Sequence, residues 1–259
     1  MDADQTSLPL VRYAVQGLAA TITLDSPGNR NALSHQLMDQ LEIALARAGQ
    51  EPGARAVVLT HTGGTFCAGA DLHEASAATE PQRRRGERLT GLLRLILTLE
   101  VPVIAVVNGH VRAGGMGLVG ACDLALAGPR ASFALTEVRL GLAAAMVSSV
   151  VVPRLSDRDA ARLLLTGAVI DADEAARIGF LTASAPDPQA ALAQVLDQLR
   201  SCSPQGLREV KAMLNRSLLA TFDADRDRLV DLSTRLFDSA EAREGMAAFL
   251  GKRPPRWAD

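Results

Sequence analysis

Short apolar runs alternate with glycine-bearing loops through the first half of the chain, and helical periodicity takes over in the last third. Residues 10–16 and 18–24 flank Gly17 and predict a hairpin; TITLD within the second run alternates apolar and polar side chains, as a half-buried strand does. DSPGN at 25–29 is a loop. Ser34 is placed as the N-cap of the next helix, in which Leu37, Leu41, Leu45 and Ala48 recur on one face. AVVLT at 56–60 and PVIAVV at 102–107 are short, continuous and rich in β-branched residues, the pattern of buried strands. Each runs into a glycine-bearing loop, at 61–71 and 108–117. Residues 89–99 predict a helix, and the arginine-rich stretch before it, 80–88, is either its solvated start or the lining of an entrance for an anionic substrate. DLALA at 123–127 and ASFAL at 131–135 are strand candidates, and 136–142 is a loop or a single turn. Helices are expected near 143–153, 157–165, 172–178, 187–201, 204–217, 222–239 and 241–250. The alternation implies an α/β fold with mainly parallel pairing, followed by a helical C-terminal part. The loosely alike units at 55–100 and 100–140 suggest a spiral, solenoid-like core.

Composition narrows the class. The 259 residues are 48% hydrophobic and 22% charged, enough for a large core. A net charge of −2 and an aromatic fraction of 3% argue against a nucleic-acid partner. Cys67, Cys122 and Cys202 are odd in number and lack metal-ligand spacing, so they read as small hydrophobes in a reducing compartment, and no metal is expected. No apolar run reaches the roughly 18 residues that span a bilayer, and the N-terminus lacks the regions of a signal peptide. The expectation is a cytoplasmic protein without a membrane partner.

The chemistry converges on the glycine loops. Gly114, Gly115, Gly117 and Gly120 fall in what otherwise reads as a helix, where each costs roughly 0.5–1 kcal/mol relative to alanine. Two reasons are available: a neighbour packs very close, or the first turn presents bare N–H groups to a ligand. If the loops at 63–71 and 108–117 lie side by side, each can aim one N–H at the same point and form an oxyanion hole. Such a site needs an acid or base. Glu137, just after two apolar strands, is placed where burial would raise its pKa; the alternatives are that it caps the next turn or pairs with Arg139. Gly115–Gly120 also matches GxGxxG with Glu137 about 20 residues on, the spacing of a dinucleotide site, but seven residues separate the strand from the first glycine. His110 and Arg112 border the glycine helix; His35, His61 and His73 form no ligand pattern.

Four stretches together resemble the enoyl-CoA hydratase/isomerase (crotonase) family: RNAL at 30–33, TFCAGADL at 65–72, the run from Asn108-Gly109 through Gly114-Gly115 to Cys122-Asp123, and FALTEVRLG at 133–141. FLGKR at 249–253 is similar to the family's C-terminal helix end. The resemblance implies a crotonase-like spiral of ββα units over residues 1–195 and a helical trimerisation region over 196–259, giving a homotrimer or homohexamer. It implies an acyl-CoA substrate of the kind met in fatty acid metabolism, with coenzyme A as part of the substrate and no separate cofactor. Ala70 and Gly114 would supply the oxyanion N–H groups and Glu137 the acid/base. Arg30, Ala32, Ala68, Asp71 and Leu72 would lie along the coenzyme A, with Phe249 and Lys252 reaching it from a neighbouring subunit. Family hydratases carry a second glutamate, which matches Gly117 here. A site with one carboxylate suits enoyl-CoA isomerisation, whereas hydration needs another group, such as His110 or Arg112, or a water held by backbone, to fill the gap. Gly117 would also enlarge the cavity for a branched acyl group. LTEVRLGL and VRAGGMGLVGACD are similar to hydratase-like enzymes of branched-acyl catabolism. The expectation is an enoyl-CoA hydratase, with an isomerase or an inactive acyl-CoA-binding protein as alternatives.

Overall fold

A computed structural model describes residues 9–71, 74 and 81–258. Strands β1 (Val11–Gln16) and β2 (Ala19–Leu24) form the expected hairpin, with Gly17 at φ +59° in the turn. Helix α1 (His35–Gly49) begins at Ser34, whose hydroxyl accepts the Leu37 N–H at 3.3 Å. Leu37, Leu41, Leu45 and Ala48 are all buried. Strands β3 (Ala56–His61), β5 (Val103–Val107) and β7 (Leu124–Ala127) continue a six-stranded sheet that ends in β10 (Ala183–Ser184). All its pairings are parallel except that of β1 with β2. The apolar runs are unbroken because both faces are covered. Val57, Leu59, Val103 and Ala105 face the main core, whereas Val58, Ile104 and Val106 pack under α7 (Pro188–Arg200) through Leu192.

Of a second sheet the sequence marks only one strand, within ASFAL at 131–135. β4 (Thr65–Cys67), β6 (His110–Arg112), β8 (Ser132–Ala134) and β9 (Ile170–Asp171) form it. The loops read at 61–71 and 108–117 therefore each contain a short strand. Two or three residues are too few for a period-2 pattern to register. The arrangement explains the spiral: β3–β4, β5–β6 and β7–β8 each send the first strand to the large sheet and the second to the small one.

Helix α2 (Gln82–Thr98) starts seven residues before the expected point, so the arginine-rich stretch is mostly its first turns. After it come α3 (Gly114–Ala121), a 3-10 turn (Glu137–Leu140), α4 (Ala145–Val151), α5 (Asp157–Thr166) and α6 (Ala172–Arg177). The helices expected at 204–217 and 222–239 are one 34-residue helix, α8 (Pro204–Phe237). Residues 218–221 (LLAT) carry no breaker, and Phe222 is buried against the core. α9 (Ala240–Leu250) closes the fold. The boundary drawn at 195/196 falls inside α7; the first break after it is at 201–203.

A buried polar knot fixes α8 to the body. Lys211, 5% exposed, donates to the Ile96 and Val101 carbonyls at 2.9 and 3.1 Å and pairs with Asp123 at 2.7 Å. Asn215 donates to the Leu97 carbonyl and to the other Asp123 oxygen, at 3.1 and 3.3 Å. Desolvation holds the Lys211 pKa below its ordinary value, opposed by Asp123.

Candidate active site

The two strand-to-glycine-loop junctions do lie side by side. A Cβ on Gly69 would sit 2.7 Å from the Ala113 Cβ and 3.5 Å from the Gly114 nitrogen. Gly69 has φ +92°, a conformation open to glycine. Two further contacts tie the 61–71 loop to residues 30–33. The Leu33 N–H donates to the Gly69 carbonyl at 2.8 Å, and the Ala68 N–H donates to the Arg30 carbonyl at 3.1 Å. Asn31 holds the assembly from below: fully buried at φ 52°, it accepts the Ser26 N–H at 2.7 Å and donates to the Thr62 and Thr65 carbonyls at 3.2 and 2.7 Å. The sequence signalled Asn31 only as part of RNAL; the clamp depends on residues 31 and 34 positions away.

A cavity of about 740 Å³, partly open to solvent, receives Ala70, Gly114 and Glu137 together. Among the described residues neither the Ala70 nor the Gly114 N–H is spent on a protein acceptor. Gly114 is the first residue of α3, so its N–H is one of the four that a helix leaves over. The Glu137 Oε2 is fully shielded and has no protein partner, although the residue as a whole keeps some exposure. Burial pushes its carboxyl from an ordinary 4.5 up to about 7, with its own backbone N–H pulling slightly the other way. The two other roles open to Glu137 fall away. Arg139 turns to the Thr166 carbonyl, and the 3-10 turn has no side-chain cap. Backbone bonds close that turn: the Glu137 carbonyl accepts from Gly141 and Leu142.

The glycines of α3 have both explanations at once. Gly114 borders the cavity. Added Cβ atoms at Gly115, Gly117 and Gly120 would meet Cys67, Val147 and Val150 at 2.8, 2.7 and 3.0 Å, so these positions serve close packing and not a dinucleotide. Gly117 also corrects an expectation. It does not enlarge the cavity: it is buried off the lining, and the Val147 isopropyl group fills the space beside it. The wall where a second carboxylate would stand is therefore apolar.

The other expected residues divide. Asp71 lines the cavity; Leu72 lies outside the described residues. Arg30, Ala32 and Ala68 do not line it; the Arg30 carbonyl accepts the Ala68 N–H next to the lining residue Ala70, and Ala32 precedes the lining residue Leu33. Phe249 in the last turn of α9 and Lys252 just beyond it are exposed and do not line the cavity of their own chain. His110 and Arg112 cannot replace the missing carboxylate: both are held by Ser132, His110 at 2.8 Å and Arg112 at 2.8 and 2.9 Å, outside the lining. Of the arginine run, Arg85 does border the mouth, where it donates to the Glu74 carbonyl at 2.7 Å. Ser233 and Phe237 of α8 close the cavity from the C-terminal side, and neither was signalled, because only the tertiary packing brings a helix 100 residues away over Glu137.

Two free N–H donors and one carboxyl with a raised pKa, sharing one cavity, can hold an enolate oxygen and move a proton at neutral pH. Comparison with known proteins agrees. A crystal structure of an enoyl-CoA hydratase from Mycobacterium avium superposes with a TM-score of 0.90 at 50% identity, over 99% of this chain and all of that one. The enoyl-CoA hydratase EchA19 of Mycobacterium tuberculosis is 32% identical over 93% of this chain and 94% of its own. The mitochondrial enoyl-CoA hydratase domain-containing protein 3 of Danio rerio is 32% identical over the whole chain and 90% of its own. The sequence model of the enoyl-CoA hydratase/isomerase family matches residues 15–259, and the chain belongs to that family.

Proposed function

We propose that the protein is an enoyl-CoA hydratase that adds water across the double bond of a 2-enoyl-CoA. One observation carries the reading: an unpartnered, buried carboxylate, Glu137, shares a cavity with the uncommitted N–H groups of Ala70 and Gly114. In this reading the thioester oxygen sits between those two N–H groups, which stabilise the enolate formed as water adds. The Gly114 end of α3 adds the positive end of its dipole. Glu137 takes the proton from water and delivers it to C2. A pKa near 7 suits both directions of transfer. The coenzyme A would run from the cavity mouth along Arg30, Ala32 and Ala68. Phe249 and Lys252 would meet it from a neighbouring subunit of a homotrimer; their exposure on the surface supports that arrangement.

The apolar wall at Val147 favours a second reading, enoyl-CoA isomerisation, which needs only one base. Following the conjugated-enoyl absorbance separates the two. Loss of absorbance from crotonyl-CoA, with kcat reduced about 10²–10⁴-fold in Glu137→Gln, is the expected result. A gain from 3-enoyl-CoA with no loss from crotonyl-CoA would replace hydration by isomerisation.

A further inference from the structure

Water cannot be aimed by one carboxylate alone. A buried water typically keeps two to four polar partners, and the position that would offer a second carboxylate, Gly117, faces the Val147 side chain instead. The cavity lining offers a different partner. Ser233, 4% exposed, lies on it, and among the described residues its hydroxyl has no hydrogen-bond partner. The next residue, Thr234, shows the contrast: its hydroxyl bonds back to the Val230 carbonyl at 2.9 Å, the usual resort of a hydroxyl within a helix. Ser233 and the shielded Oε2 of Glu137 are thus two polar groups that line one cavity without a protein partner. Polar groups in a nearly buried setting are rarely left without a partner, so what occupies the cavity is the expected partner of both.

The packing brings their supports together. Gly86 of α2 lets α8 close in: a Cβ there would lie 3.0 Å from the Met146 sulfur and 3.2 Å from Val230, one helical turn before Ser233. The Glu137 turn is seated on α9, where a Cβ at Gly141 would strike the backbone of Glu241 at 2.6 Å and one at Gly245 the backbone of Leu140 at 2.5 Å. α8 and α9 are separated by only two residues, so one hinge carries both the serine and the seat of the glutamate. The polar groups at the mouth are committed to one another: the Glu74 N–H donates to Asp71 at 3.2 Å, its carboxylate accepts the His35 N–H at 3.0 Å, and its carbonyl accepts Arg85.

We propose that the Ser233 hydroxyl is the second ligand of the reacting water, in the role for which Gly117 has no side chain. The inference rests on the hydratase reading. The Ser233 oxygen accepts one hydrogen of the water and Glu137 accepts the other. As the oxygen–C3 bond forms, the proton passes to Glu137 and the C2–C3 π pair moves into the thioester enolate. When the enolate collapses, Glu137 returns the proton to C2. The three atoms of the water end in the 3-hydroxyacyl product, and Ser233 gives up none of its own.

The test compares two reactions of the full-length protein, one in which water is the nucleophile and one in which it only replaces the proton on Glu137. Hydration of crotonyl-CoA needs it; exchange of the α-protons of a 3-enoyl-CoA with D2O, followed by mass spectrometry, needs only Glu137 and the oxyanion donors. Ser233→Ala is expected to lower kcat for hydration about tenfold or more, with KM and exchange held near the wild-type values. Glu137→Gln is expected to lose both. Hydration by Ser233→Ala at the wild-type kcat overturns the proposal, as does an equal loss of hydration and exchange, which marks a structural role. A wild-type protein that exchanges but does not hydrate overturns the hydratase reading and the water ligand with it.

Discussion

Replacing Glu137 by glutamine should leave the protein more stable than the wild type, and increasingly so as the pH rises. The carboxyl is held at about 7 in the folded chain against an ordinary 4.5. Below 4.5 it is neutral in both states and has no effect. As the pH rises through 4.5 the unfolded chain releases its proton first, so the native state binds more protons and stability falls until the pH passes 7. At about 1.4 kcal/mol per pKa unit, the full penalty is about 3 kcal/mol. Integrated between pH 5.5 and 8.5, the wild type loses about 2 kcal/mol that the glutamine variant keeps. For a chain of this size that is a growth of about 4 °C in the difference between their melting temperatures. Taking the difference at two pH values cancels any constant packing effect of the amide. Scanning calorimetry of both proteins in matched buffers at the two pH values measures it. A melting-temperature difference that does not change with pH would refute the reasoning, because it would mean that the Glu137 carboxyl titrates alike in the folded and unfolded chains.

Three other outcomes follow from the packing. Gly117→Ala should cost about 1–3 kcal/mol, because its Cβ falls 2.7 Å from Val147; Val147→Ala in the same chain should recover most of that loss in a double-mutant cycle by denaturant unfolding. Lys211→Ala leaves the half-buried Asp123 with only its bonds from Asn215 and the Val103 N–H and should cost about 2–3 kcal/mol, read as a fall in the urea midpoint. Asn31→Ala removes three hydrogen bonds of a fully buried side chain in a left-handed conformation. It should cost about 2–4 kcal/mol and, by loosening the Ala68–Ala70 loop, lower kcat/KM for crotonyl-CoA in steady-state assays.

How much could be read in advance depended on the range over which each signal acts. The long strands and helices were legible because their apolar positions repeat within a single element: AVVLT and VIAVV can only be strands covered on both faces, and the 37–48 periodicity fixes the buried side of α1. The division of α8 into two helices was an error of the same local kind: LLAT at 218–221 carries no breaker, and packing against α2 and α4 carries the helix through it. Of the second sheet only β8, within ASFAL, was legible; the other strands are two or three residues long and owe their conformation to neighbours in other repeats.

The order of strand, loop and helix, the two glycine junctions, and Glu137 as the best candidate acid or base beside them were legible in the residues themselves. Those features are written in residues close along the chain, where turn chemistry, side-chain period and composition act directly. Tertiary structure alone decided that Gly117 abuts Val147 rather than the cavity, that His110 and Arg112 belong to Ser132, and that Ser233 and Phe237 roof the site. The physical reason is that each of these depends on which distant side chain occupies a given volume, and close packing settles that only when all the elements are in place.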